Sequence, residues 1–491
     1  MAAAGVTLQL TVFAKKAPKF EQVIAPTIGS LLQDTPSAYV AIENQMAQVL
    51  APLQEEGDLL RARTAEIILL DVLVHGNDPA KIARAEQILQ AIKSAKKPDP
   101  AALRAKALLA IAKGNPQNVA STLASVAGSP DSLLVIGLGR LVAGNPASAV
   151  EPLRQYAAAH PKELVAEYLV ARALRQAGKP EARAAFEKVL SRNPQHFGAA
   201  LGLASLEETP EKRLAAVQTL VDRKQAAASS QEMAQAYLLL GQTAMDMGRR
   251  QEAEAALRKA ISLDSRLTAA SLALGESLLY ESRNDEALTV LQTAGPALEA
   301  TTAGKFALGG AYLTTKKTEQ GMKLLAQANK EAPTDPRGAF WNGVASEVRH
   351  PPDLVDAEKG YREALKRDPR FLPASLRLAA LLQQQNKAQE SLTILRAAEE
   401  AGAPASILQL AWGDALIVAK EPVKAEEVFR KALEDNPQSA PARLGVAAAL
   451  QAQNRLKEAK AYLEGVLSRL TAGVVTLDHN LVVRIVNPAA A

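Results

Sequence analysis

Residues Ala234 to Leu267 read AQAYLLLGQTAMDMGRRQEAEAALRKAISLDSRL, two short helices about a turn at Met247-Gly248-Arg249. The first carries Tyr237, Leu240, Gly241 and Ala244 at the spacing that shares one helical face, and the second carries Ala253, Leu257 and Ala260. One such pair cannot bury its own apolar stripes, so it needs neighbours of the same kind. With Gly241 as a marker, small residues follow at Gly275, Gly309, Gly343, Ala379, Gly413 and Ala447, in steps of 34, 34, 34, 36, 34 and 34.

The rest of each unit keeps step with its marker. A second small residue comes at Ala253, Ala287, Gly321, Ala357, Ser391, Ala425 and Ala459. A large one comes four positions later, at Leu257, Leu291, Leu325, Tyr361, Leu395, Phe429 and Leu463. The single step of 36 contains Arg349-His350-Pro351-Pro352, which reads as a longer turn. Small markers let two helices approach, and the large residue fills the gap between them. Prolines at Pro333, Pro369 and Pro437 close units, because proline cannot continue a helix. Upstream the spacing loosens, with units around Gly137 and Val170, a longer one from Phe197 to Met233, a short one between Pro100 and Ser129, and a degenerate one from Arg61 to Lys97. About eleven units result.

This period and pattern resemble the tetratricopeptide repeat. The resemblance implies an all-α fold, a right-handed superhelix of antiparallel helix pairs forming an α-solenoid, with regular repeats over 234–469 and divergent ones over 100–233. Residues 20–99 form an irregular helical region in this reading, with breaks near Pro26 and Pro36. In that family the first helices line the concave face, where ligands bind. Carried onto this chain, the register points to Gln242, Met245, Glu276, Tyr280, Phe306, Phe340, Glu347, Gln383 and Asp414 as partner-binding residues. Phe306, Phe340, Tyr280 and Met245 are the residues expected to be exposed, and Trp341 and Trp412 the ones expected in the core. Heat-shock co-chaperones of the family use Lys and Asn here to clamp a terminal carboxylate. This chain has Leu, Phe and small residues instead, a lining suited to an apolar peptide or an amphipathic helix.

Composition narrows the function. Of 491 residues, 48% are hydrophobic and 22% charged, the balance of a folded chain, while only 4% are aromatic, so Leu, Ala and Val must build the core. The net charge of +5 is dispersed among both signs, with no basic run that argues for nucleic acid. Absence of cysteine removes disulfides, thiolate metal sites and cysteine nucleophiles. The five histidines, His75, His160, His196, His350 and His479, have no ligand spacing, so no metal site is expected. Gly137-Leu138-Gly139 lacks the third glycine of a nucleotide loop, since position 142 is Val142, and Gly178-Lys179 runs straight into Pro180. No catalytic residue, cofactor or enzymatic activity is expected.

The two ends read differently. Ala2 to Ala14 is mildly apolar and precedes Lys15-Lys16. It is shorter than the roughly 20 apolar residues of a membrane span, so residues 1–19 read as a terminal segment or as the remnant of a membrane anchor. Toward the other end, Gly473 to Asp478 (GVVTLD) and Leu481 to Val486 (LVVRIV) flank a turn at His479-Asn480, a hairpin pattern ahead of Asn487-Pro488-Ala489-Ala490. Residues 470–491 resemble the opening of a PAS domain of nitrogen-regulation-type sensor histidine kinases. The expectation is a bacterial protein-interaction scaffold that holds a peptide or helix of a protein partner. The alternatives are the sensory input of a PAS-containing kinase and an envelope-anchored assembly factor. The compartment expected is the cytoplasm, or the periplasm if an anchor precedes the array.

Overall fold

The structure is a computed structural model that describes residues 34–50, 58–76, 78–92, 99–222, 228–437, 439–467, 474–477 and 483–486. The expected terminal segment 1–19 and the Asn487-Pro488-Ala489-Ala490 end of the PAS-like stretch lie outside them. The chain divides into two compact units: 1–243 with 259–264, and 244–258 with 265–491.

In the first unit the helices are α1 (Pro36–Leu50), α2 (Asp58–His75), α3 (Pro79–Gln90), α4 (Pro100–Ala112), α5 (Val119–Thr122), α6 (Pro130–Val142), α7 (Pro146–Ala159), α8 (Leu164–Gln176), α9 (Ala182–Arg192), α10 (Phe197–Ala204) and α11 (Pro210–Asp222). Proline opens most of them, where the missing N–H costs nothing, and Asp78 and Asp99 cap α3 and α4 by accepting from their first-turn amides. The core runs through α2 to α10, with Ile68, Leu69, Leu108, Leu138, Leu153, Leu169 and Phe186 fully or almost fully buried. Helix α2 is buried on nearly every side, from Leu60 to His75.

Helices α12 (Ser230–Asp246) and α13 (Arg250–Leu263) cross the division between the units. The second unit continues with α14 (Thr268–Tyr280), α15 (Asn284–Thr293), α16 (Pro296–Glu299), α17 (Thr302–Thr314), α18 (Thr318–Glu331), α19 (Pro336–Glu347), α20 (Leu354–Arg367), α21 (Leu372–Gln384), α22 (Ala388–Glu400), α23 (Ala405–Val418), α24 (Pro422–Asp435), α25 (Ala440–Ala452) and α26 (Leu456–Leu467). First and second helices alternate and pack antiparallel, each pair against the next. Beyond them β1 (Val474–Leu477) runs antiparallel to β2 (Val483–Val486), with Val474 opposite Val486.

The small-against-large rule is visible atom by atom. A Cβ placed on Gly275 would lie 2.5 Å from Leu291 side-chain carbons, one on Gly309 2.8 Å from Leu325, and one on Gly343 2.8 Å from the Tyr361 ring. The same fit recurs upstream, where Gly137 seats Leu153 at 2.5 Å. At Ser391 the hydroxyl donates to the Ala379 carbonyl at 3.1 Å, so this polar small residue is satisfied in the interface. A second regularity follows the markers at seven residues. Gly248, Ser282, Lys316, Asn386, Lys420 and Asn454 all adopt a left-handed backbone, with φ between 58° and 73°. Each ends its first helix and turns the chain into the second. The repeat marked by Gly343 instead uses the longer turn through Arg349-His350-Pro351-Pro352.

Candidate partner-binding face

Apart from Gln242, which belongs to the first unit, the residues that the register selects lie on first helices in the second unit. Tyr280 closes α14 with 45% of its surface exposed, yet burial in its surroundings raises the phenol pKa. Glu276, one turn earlier, is half-buried, and burial raises its carboxyl despite Arg337 nearby. On α23 the exposed Asp414 behaves alike: desolvation raises it, and it has no charge partner among the described residues. Leu444 on α25 adds an apolar side chain that is 46% exposed. Gln242 is exposed and Met245 half-buried on α12.

Two of the aromatic residues expected to be exposed are instead core. Phe306 is 0% and Phe340 3% exposed. The Arg337 guanidinium lies 5.2 Å over the Phe306 ring and covers it. Phe340 packs edge-on against Trp341 at 5.0 Å and Phe371 at 5.5 Å, with Tyr361 at 5.7 Å. The reason is local. Gly310, the register position that would carry a groove side chain, is bare, and the Trp341 indole sits directly on it. Trp341 is therefore core, as expected. Trp412 is not fully so; it is half-buried, with Arg396 6.0 Å from its ring.

Glu347 and Gln383 are tied into the packing. Tyr361 donates to Glu347, and Arg377 stands 3.6 Å from its other oxygen. Gln383 Nε2 donates to Ser391 Oγ at 3.2 Å and to the Ala411 carbonyl at 3.1 Å, bridging two repeats. Arg337 escaped the register. It pairs with Asp335 at 2.7 Å and reaches Glu276 at 3.7 Å. The signal for it is Asp335-Pro336-Arg337, a capped helix start that fixes the arginine on the first turn.

The turn at Met247-Gly248-Arg249 meets the amino end of α23 far along the second unit. A Cβ on Gly248 would lie 2.8 Å from Ser406 Oγ and 3.2 Å from Ile407 Cγ1. At φ +73° the position already favours glycine, and this approach leaves no room for a side chain.

The histidines separate differently from what their spacing suggests. His75 and His196, far apart in sequence, come within 6.4 Å between ring centroids. Among the described residues no group of His, Asp and Glu has the arrangement of a metal site. Gly137-Leu138-Gly139 lies buried inside α6, not in a loop. No helix among the described residues is long and apolar enough to cross a membrane.

Two segments match family models described as tetratricopeptide repeat, residues 234–266 and 416–470. Among solved structures the chain is similar to MamA 41-end from Desulfovibrio magneticus RS-1, at 20% identity over 34% of this chain and 93% of that one, with a TM-score of 0.30. None of the curated proteins matches. The first match covers the α12–α13 pair and the second runs from the end of α23 through α26, so the chain carries tetratricopeptide repeats over these residues, which support in general terms a scaffold for protein interaction.

Proposed function

We propose that the first helices between 268 and 452 hold a peptide or helix of a partner protein. The observation that supports this most is Tyr280, a large aromatic side chain left 45% exposed at the end of the first helix α14. Asp414 and Leu444 extend the same character to α23 and α25, so the face offers apolar contact with a few fixed charges. Glu276, with Arg337 behind it, serves as an orienting polar group. Phe306, Phe340, Glu347 and Gln383 shape the face from beneath and are not its contact residues. Repeats of this kind are as a rule non-enzymatic, and we assign the chain no catalysis.

The test uses the full chain as bait, with bound proteins identified by mass spectrometry. A Tyr280→Ala/Asp414→Arg variant should lose the partner that wild type retains. Lys323→Glu, on the exposed side of the second helix α18, should keep it. Equal capture by all three would remove the assignment.

A second reading rests on the antiparallel pairing of β1 with β2. It treats the array as the cytoplasmic input of a PAS-containing sensor kinase. A reading frame continuing past Ala491 into a phosphoacceptor histidine and ATP-binding motifs would favour it, and a stop codon there would remove it.

A further inference from the structure

In a simple solenoid each repeat touches its neighbours only. The first unit breaks that rule at one buried cluster. Asp34, just ahead of α1, is 1% exposed. Its Oδ2 lies 3.0 Å from His196 Nε2, its Oδ1 accepts from the Tyr39 hydroxyl at 3.1 Å, and the same oxygen lies 3.3 Å from His75 Nε2. His75, 4% exposed at the end of α2, bonds Glu232 Oε1 through Nδ1 at 3.1 Å. Ser229 locks the far side, donating its N–H to Glu232 at 2.8 Å and its hydroxyl to the His75 carbonyl at 2.7 Å. His196 caps α10 by accepting the Ala199 N–H on Nδ1 at 3.2 Å, which leaves its ring proton on Nε2, aimed at Asp34.

Besides this cluster, α1 is held on α2 and α3: the buried Glu43 lies 3.3 Å from Lys81 and 3.4 Å from Arg84, both of α3. Tyr39, Ile42 and Met46 form a small cluster with Leu60 and Ile67 of α2, apart from the main core, and Val40 on the opposite side is 44% exposed. We propose that the Asp34 cluster is a releasable clasp: α1 is docked by it against the amino ends of the first helices α10 and α12, and can leave them while the array stays folded. This device lies in the first unit and is independent of the face proposed for 268–452. Release frees His196, and beside it Tyr168 of α8, whose ring lies 4.5 Å away.

Charge decides when the clasp holds. Burial disfavours charging His75, but pairing with Asp34 and Glu232 outweighs it and pushes the pKa up to about 10. Burial likewise works to raise Asp34, and its bond with His196 and the His75 ring 3.3 Å away hold it well below the usual carboxylate range. The other groups near His75 are Tyr39 of α1, with its ring 5.2 Å away, and Asp71 of α2, which is engaged by Lys81 of α3. A raised histidine contributes stability that is fully present below its unfolded pKa of about 6.5 and is lost as pH rises toward about 10. The depressed carboxylate contributes above its unfolded value of about 3.9 and is lost only in stronger acid. The clasp is therefore closed near neutrality and loosens on the alkaline side.

Hydrogen exchange on the full chain tests this. Corrected for intrinsic rates, exchange of 36–46 should rise between pH 7 and pH 10 by up to about tenfold per unit, the limit for one linked proton, with 99–222 unchanged. Asp34→Asn should lower protection of 36–46 at least tenfold at pH 7, flatten its pH response and leave 99–222 as in wild type. The proposal is overturned if protection of 36–46 is constant across that range, if Asp34→Asn keeps wild-type protection there, or if 36–46 and 99–222 open together.

Discussion

Lys420 shows how a repeat stores strain in single residues. It ends α23 at φ +60°, where a side chain costs about 1–2 kcal/mol, as do Lys316 at φ +62° and Ser282 at φ +60°. Lys420→Gly should raise stability by about 0.5–1 kcal/mol, allowing for the freedom glycine gains in the unfolded chain, read as a higher urea midpoint. Gly413 is the opposite case, since any Cβ there meets the Phe429 ring. Gly413→Ala should cost about 1–3 kcal/mol through overpacking, with part of the loss recovered by Phe429→Leu in the same measurement. The site residues divide in the same way. Phe340→Ala should cost about 3–5 kcal/mol as a core truncation, whereas Tyr280→Ala should change stability by no more than about 0.5 kcal/mol; equal losses would show that Tyr280 is packing. The sequence marked both as groove candidates because an apolar stripe at helical spacing does not say which neighbour covers it. Gly310 and Arg337 decided the matter, one by giving Trp341 a seat beside Phe340, the other by covering Phe306.

Helices in the first unit owe their ends to short capped signals and their positions to buried charge. Asp99 accepts from the Ala101 amide at 2.7 Å and Pro100 follows it, so Asp99→Ala should cost about 1 kcal/mol and loosen the start of α4. Arg104, on α4, is 2% exposed and its Nε lies 2.6 Å from Glu66 of α2, with Asp131 at 3.6 Å. Arg104→Ala leaves Glu66 buried without that partner and should cost about 3–5 kcal/mol. Arg104→Ala/Glu66→Ala together should cost less than the sum, measured as a double-mutant cycle. These units were legible in outline from proline punctuation, such as Pro36 and Pro100. The contacts of α1 and α2 were not. His75 and Glu232 are 157 residues apart, and Asp34 and His196 are 162 apart. A period finds neighbours; it carries no information about a residue that skips several repeats.

At the scale of the molecule, the two units should respond to denaturant in different ways. The first is closed by contacts between residues more than 150 positions apart, so α4 to α10 should lose amide protection over a single urea range. Most of the second is pair upon pair, and protection there should fall progressively from α26 inward. Exchange at successive urea concentrations checks both, and a single common midpoint for α14 to α26 would contradict the second. The approach of Gly248 to Ser406 has a different consequence, one that concerns ancestry. Solenoids commonly lengthen when a repeat is duplicated within the gene. Between positions 248 and 406 that route is obstructed here, because one added unit of 34 residues would carry Ser406 past its partner turn and strand both surfaces. The buried cluster imposes the same limit between Asp34 and Glu232, so growth by duplication is free outside these two intervals, and the number of units inside them is expected to vary least in this lineage.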